Sequence, residues 1–315
     1  MSELITILGA GGPIGDELSK ILIAQHQQVR LVSRNPRPVE GAQALAADLA
    51  DPQQCLQAVK GSKVVHLLAG LKYDHHVWQE LWPRIMANTI EACKREGAKL
   101  IFFDNVYMYG KVNGAMTEET PYNPISKKGE IRAQIATTLM NESKAGNLTA
   151  MIARSADFYG PMTKNGVPNV LVLEPYSQGK SASWLVNDKV PHSLTFTPDA
   201  ARGLAMLAER ESSWNQVWHL PTTPMPPTGK EFIAMAAQAF GVDAKYMVLS
   251  KLMLKMYGWF NPLVAESYEM LYQSESAYLF DSSKFAREFG FAGTPYKEGI
   301  GIAANSYKGK DAKAK

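Results

Sequence analysis

The sequence predicts an α/β fold, a doubly wound parallel sheet with a smaller, mostly C-terminal second domain. Three observations carry this expectation. Short β-branched or apolar runs recur up to residue 152 with helical segments between them, a glycine-rich turn follows the first run directly, and the alternation stops near residue 160. At roughly 150 residues per domain, 315 residues suffice for about two domains. The composition, 46% hydrophobic and 20% charged, excludes a disordered or fibrous chain.

The expected strands are Leu4 to Leu8, Val29 to Val32, Lys63 to Leu68, Leu100 to Phe103 and Thr149 to Ile152. The first has no basic flank before it and runs straight into glycines, unlike a secretory signal. Between the last two, Ile131, Ile135 and Leu139 repeat every four residues. That spacing predicts one apolar stripe on a helix that begins near Lys128 and ends at Gly146-Asn147. Beyond residue 160, Pro161, Gly166, Pro168, Pro175, Gly179 and Pro191 break the rhythm, as do Pro221, Pro224, Pro226 and Pro227 later. The stretch from Lys245 to Tyr272, rich in Met, Leu, Tyr and Trp at helical spacing, reads as core or as a lid over a pocket rather than as a membrane-binding surface.

Charge and cysteine usage exclude several classes. Lys308, Lys310, Lys313 and Lys315 against Asp311 account for the whole net charge of +3, so the body is about neutral and lacks the basic surface that nucleic acid demands. The only cysteines, Cys55 and Cys93, form no CxxC pair, which argues against a disulfide framework or zinc site and for a reducing compartment, the cytoplasm by default. No apolar stretch approaches the roughly 20 residues of a membrane helix, so no membrane partner is expected. His75-His76 reads as part of a loop after the fourth strand rather than as a metal site, and His66 as a satisfied structural residue; no metal is expected.

The turn after the first strand is Gly9-Ala10-Gly11-Gly12-Pro13-Ile14-Gly15, and a helical segment follows. Glycines at 9, 12 and 15 permit a tight turn, let backbone amides approach a pyrophosphate and allow close helix packing, which points to a dinucleotide. The second strand ends at Ser33-Arg34, where an NAD-selective site places an acidic residue. A guanidinium and a hydroxyl, with Arg37 nearby, suit a 2′-phosphate, so NADP is favoured over NAD. The dinucleotide-binding domain is therefore expected over 1–160, with 195–220 returning to it. Residues 161–194 and 221–307 would form the substrate domain, and 308–315 a disordered tail.

With these motifs the chain resembles the extended short-chain dehydrogenase/reductases of the NAD-dependent epimerase/dehydratase type, which have a Rossmann domain. Gly9-x-x-Gly12-x-x-Gly15 has that family's spacing, and Asp48-Leu49-Ala50-Asp51 resembles its short acidic motif, whose first aspartate meets the adenine. Leu68, Ala69 and Gly70 resemble the small residues beside the cofactor, and Asn88 the asparagine of the next helix. Tyr109-Gly110, the segment Arg154 to Pro161, and Thr197 to Ala201 resemble later landmarks. The resemblance implies an oxidoreductase or epimerase-like enzyme acting on a small polar carbonyl, hydroxyl or sugar-like substrate.

The chain departs from that family where the chemistry is done. Asn105, preceded by Asp104, stands at the family's Ser/Thr position. Lys128 and Arg132 stand where the family has the tyrosine and lysine of Tyr-x-x-x-Lys. Four apart on a helix, they share a face. Arg132 is expected to hold the ribose or a phosphate. Repulsion between two cations about 6 Å apart, roughly 2.8 kcal/mol at an effective dielectric of 20, would make Lys128 a usable base. Tyr107 is the second acid/base candidate, and packing near the strand end is its other reading. Asp104, Asp157 and Tyr159 are the expected substrate contacts. Asp157 replaces an asparagine that helps hold a sugar-nucleotide diphosphate, and a carboxylate there repels a diphosphate unless it is protonated or paired. A non-catalytic sensor of NAD(P) is the alternative function. The oligomeric state stays open, a homodimer being the assembly considered.

Overall fold

The computed structural model describes residues 3–311 and divides the chain into two compact units. The first comprises Met1–Gly110, Pro121–Arg154 and Ala200–Leu220. It is a Rossmann-like α/β unit around a seven-stranded sheet. Its strands are β1 (Leu4–Leu8), β2 (Gln28–Ser33), β3 (Ala42–Ala46), β4 (Val64–Leu67), β5 (Lys99–Asp104), then Ala150–Arg154 and Val217–His219. Their spatial order is Val217–His219, Ala150–Arg154, β5, β4, β1, β2, β3, and every pairing is parallel. The order reverses direction beside β1. In open parallel sheets ligands bind outside the carboxyl ends of the strands at such a switch point, which here is where the glycine turn lies.

Four helices of this unit set up the site: α1 (Pro13–Ala24), α2 (Pro52–Val59), α3 (His75–Glu96) and α4 (Lys127–Lys144). Their starts follow local chemistry. Asp51 caps α2 through the amides of Gln53 and Gln54, and Asp74 caps α3 through those of His76 and Val77. His75 and His76 are thus the first turn of α3 and not a loop. Ile131, Ile135 and Leu139 all face the core with Val65, Leu67, Leu100 and Phe102.

The second unit comprises Lys111–Thr120, Ser155–Asp199 and Pro221–Lys315. Its sheets are two-stranded and parallel: Asp157–Tyr159 with Leu194–Phe196, Ala182–Leu185 with Tyr246–Leu249, and Ala115–Met116 with Leu279–Phe280. The core gathers Tyr159, Phe196, Phe232, Tyr296 and Ile300 against helix Gly229–Phe240. Of the stretch expected to be core, Leu254, Met270 and Leu271 are buried, whereas Leu252, Met256, Tyr257, Trp259, Phe260 and Leu263 are exposed. The last helix, Tyr296–Asp311, runs into the expected tail, and Lys308 donates to the carbonyl of Ala239. Residues 312–315 lie outside the described residues.

His66, expected to be satisfied, is fully buried in β4 with neither ring nitrogen hydrogen-bonded among the described residues. Burial pushes its imidazole down to about 3 from an ordinary 6.5. The folded state therefore keeps His66 neutral while the unfolded chain takes up a proton below about pH 6.5. The stability this contributes is complete above that pH and is lost as pH falls toward 3. By linkage the loss is about 2 kcal/mol at pH 5 relative to pH 8. Denaturant unfolding of His66→Leu should show this much less acid sensitivity than the parent chain, and equal pH slopes would contradict the assignment.

Candidate active site

The cofactor end is built by β1, the glycine turn and α1. Gly9 has φ +87°, and a Cβ there would lie 2.3 Å from the Cα of Ala69, so only glycine lets this turn pack against the segment after β4. The amides of Gly9 and Ala10 both donate to the carbonyl of Val32, tying the turn to β2. Gly12 is the N-cap of α1 and no side chain caps the helix; a Cβ at Gly12 would meet nothing within 4 Å. The first-turn amides thus have open space in front of them. This is the geometry that suits a pyrophosphate at the positive end of a helix dipole. Ile14 and Leu49 are buried, so each offers a ligand only its backbone.

Ser33 is half-buried at the end of β2 and Arg34 is exposed beside it. The Asp48 carboxylate accepts from the amide of Ala50, and Asn88 donates to the carbonyl of Leu49, so α3 is tied to the acidic motif. Leu68 and Ala69 are half-buried and Gly70 is exposed.

Beyond β5 the chain turns through Tyr107–Tyr109. The Asn105 side chain accepts from the Tyr107 amide at 3.0 Å, which shapes the turn. Ser126 caps α4 through the Gly129 amide. A Cβ on Gly129 would sit 2.6 Å from the Tyr107 carbonyl, so glycine allows the first turn of α4 to close on the Tyr107 turn. That approach delivers Lys128. Its ammonium lies 4.7 Å from the centre of the Tyr73 ring, and the Tyr73 hydroxyl donates to that of Tyr107 at 3.4 Å. Trp78 stacks parallel to Tyr107 at 6.3 Å and meets Tyr73 edge-on at 5.6 Å. Tyr107 is half-buried and Lys128 is fully buried.

This corrects three expectations. Lys128 is fully buried with its ammonium against the Tyr73 ring, so it does not stand open to solvent as the expected base would. Arg132 does not reach for a ribose: its guanidinium lies 4.1 Å from the Trp82 ring and 4.8 Å from Trp78, and it pairs with Asp104 at 3.3 Å. Asp104 is not a substrate contact either, because it is buried between Arg132 and Arg154, the latter at 3.8 Å. Burial pushes the Asp104 carboxyl up, against the pull of the two guanidiniums.

A network that the sequence did not disclose continues from there. Arg154 donates to the hydroxyls of Tyr109, at 2.6 Å, and Tyr122, and the Tyr109 hydroxyl meets His219 at 2.9 Å. Two buried cations, Arg132 and Arg154, thus flank one buried carboxylate, Asp104. Tyr73, Trp78 and Trp82 were likewise missed. Nothing in a loop tyrosine or in helix tryptophans marks them apart from ordinary core residues.

In the second unit, Asp157 is half-buried and its carboxylate meets His192 at 3.0 Å; the histidine ring stacks on Tyr278 at 4.3 Å. Asp157 is therefore paired. Tyr159, expected to touch substrate, is fully buried between Phe196, Phe232 and Tyr296 and belongs to the core.

Residues 5–218 match the model of the NAD dependent epimerase/dehydratase family. The chain belongs to that family, whose members are NAD-dependent enzymes. No curated protein matches it in sequence. Among solved structures it is similar to the Thermus thermophilus UDP-glucose 4-epimerase in complex with NAD, at 16% identity and a TM-score of 0.78, over 97% of this chain and 99% of that one. It is also similar to the Bacillus cereus UDP-glucuronic acid 4-epimerase in complex with NAD, at 17% identity and 0.79, over 97% and 99%. A third is DesIV, a dTDP-glucose 4,6-dehydratase from Streptomyces venezuelae with NAD bound, at 15% and 0.79, over 98% of each chain.

Proposed function

We propose that this chain is an NAD(P)-dependent oxidoreductase or epimerase-like enzyme of atypical catalytic type, acting on a polar carbonyl, hydroxyl or sugar-like substrate. The observation that carries the reading is the grouping of Tyr107, Tyr73 and Lys128 after β5. The tyrosine and lysine that the family places four apart on one helix are here drawn from three segments. Bound at the glycine turn, the dinucleotide would supply or accept a hydride. Tyr107, half-buried, protonates the oxygen as a carbonyl becomes an alkoxide, or takes the proton in reverse. Lys128 supplies the positive charge that favours the tyrosine pair releasing its proton. The buried guanidiniums of Arg132 and Arg154 against the single Asp104 carboxylate also favour negative charge developing nearby.

The neighbours' sugar-nucleotide substrates support a sugar-like substrate here. Asp157, at the position where the family has an asparagine, is hydrogen-bonded to His192. The reading is tested by incubating the protein with NADPH and with NAD, each against nucleotide sugars and small aldehydes or ketones, while following nicotinamide absorbance and product spectra. Turnover of at least one of these is expected; absence of hydride transfer with all of them, despite dinucleotide binding, would favour a sensor.

NADP is the cofactor this reading prefers, on the exposed Arg34 and the hydroxyl of Ser33. A charge-assisted bidentate contact is worth roughly 1.5 to 3 kcal/mol. Arg34→Ala is expected to weaken NADP by about tenfold or more in calorimetric titration and to leave NAD nearly unchanged. Equal losses would remove the 2′-phosphate role.

A further inference from the structure

Seven of the fourteen large hydrophobic side chains exposed among the described residues fall between Leu252 and Tyr268. They belong to two short helices, Lys251–Gly258 and Pro262–Ser267, joined at Trp259–Asn261. The turn between them is built, since Ser250 caps the first helix through Met253 and Asn261 caps the second through Leu263 and Val264. The first helix buries Leu254. At 100° per residue, Leu252, Met256 and Trp259 lie on the opposite face, where they are 69%, 51% and 73% exposed. Phe260, at the apex, is 87% exposed, and Leu263 continues the apolar surface onto the second helix. Lys251 and Lys255 flank the stripe one turn apart, and residues 244–265 contain no Asp or Glu. Lys251 is paired with Glu275 and Lys255 is exposed.

We propose that this helical tip is a peripheral membrane anchor that inserts Trp259 and Phe260 into the interface of an anionic bilayer. An apolar stripe ending in aromatics and bordered by lysines is the pattern of a helix that lies in the headgroup region. A second copy of the chain fits less well. A standard interface takes about 20 to 30 residues a side, against seven large apolar side chains here. The segment also lies outside the residues assigned to dinucleotide chemistry, so the inference stands apart from the proposed enzyme activity.

The five other tryptophans are buried, so Trp259 is the one whose emission a membrane can change. The full-length protein is floated with vesicles of phosphatidylcholine containing about 30% phosphatidylserine and with vesicles of phosphatidylcholine alone. Binding to the anionic vesicles, a blue shift in tryptophan emission and weakening by salt are expected. The doubly substituted Trp259→Ser, Phe260→Ser chain should lose at least tenfold in partitioning and the whole blue shift, with its circular dichroism melt unchanged because both side chains are exposed. Lys255→Glu should weaken binding to anionic vesicles. No flotation, or flotation equal in the doubly substituted chain, overturns the proposal. So does a dimer in light scattering that the double substitution dissociates, which would make a second copy the occupant.

Discussion

Tyr107→Phe is expected to lower turnover by about a hundredfold or more while leaving dinucleotide affinity nearly unchanged, because it deletes a half-buried hydroxyl that is bonded to a second tyrosine. Stacking on Trp78 is kept by phenylalanine, so the loss reads the proton and not the packing. Lys128→Met should also cut turnover, by way of the tyrosines. With the cation gone, the tyrosine pair holds its proton more tightly, and the rising limb of the pH–rate profile should move to higher pH. A profile that stays in place while the rate falls would assign Lys128 a purely structural role. The measurement is steady-state kinetics on whichever compound of the carbonyl and nucleotide-sugar panel the parent protein turns over, with dinucleotide titration alongside.

Asp104→Asn is expected to be the most destabilising of the substitutions considered. The carboxylate lies between Arg132 and Arg154, all three are buried, and asparagine preserves the shape while removing the negative charge. Removing one partner of a buried ion pair costs about 3 to 5 kcal/mol, since the remaining charge has lost its counterion without regaining water. At a few degrees per kcal/mol in a chain of this size, the melting temperature should fall by about ten degrees. Urea unfolding of Asp104→Asn, Arg132→Met and the double variant measures the coupling. A loss below about 1 kcal/mol for Asp104→Asn would mean that the pair is already largely neutral when folded.

The parallel sheet was legible because its central strands are apolar runs and because a glycine turn sits where only a β-to-α connection needs one. Gly9 shows why: its left-handed backbone and its 2.3 Å approach to Ala69 exclude any side chain, so the residue type itself encodes the geometry. Edge strand β3, reading Ala-Gln-Ala-Leu-Ala and largely exposed, carries no such signal, nor does the three-residue strand Val217–His219. The candidate site was legible in its parts and not in its wiring. Tyr107, Lys128 and Asn105 stood out by their places relative to motifs. That Arg132 binds Asp104, and that Tyr73 approaches Tyr107 from a segment 34 residues earlier, depends on packing that no local spacing records. Periodicity also fails to distinguish a face packed on the protein's own core from one left exposed, which is why the stretch around Trp259 read as core or as a lid over a pocket.

The most direct test of the account is a crystal structure with NADP bound. The account places the pyrophosphate on the amides of Gly12 and Ile14 and the 2′-phosphate against Arg34, with the nicotinamide beside Tyr107 and room for a substrate oxygen within about 3.5 Å of its hydroxyl. A dinucleotide held elsewhere, or a nicotinamide that leaves Tyr107 and Lys128 on the far side of the bound cofactor, would contradict it.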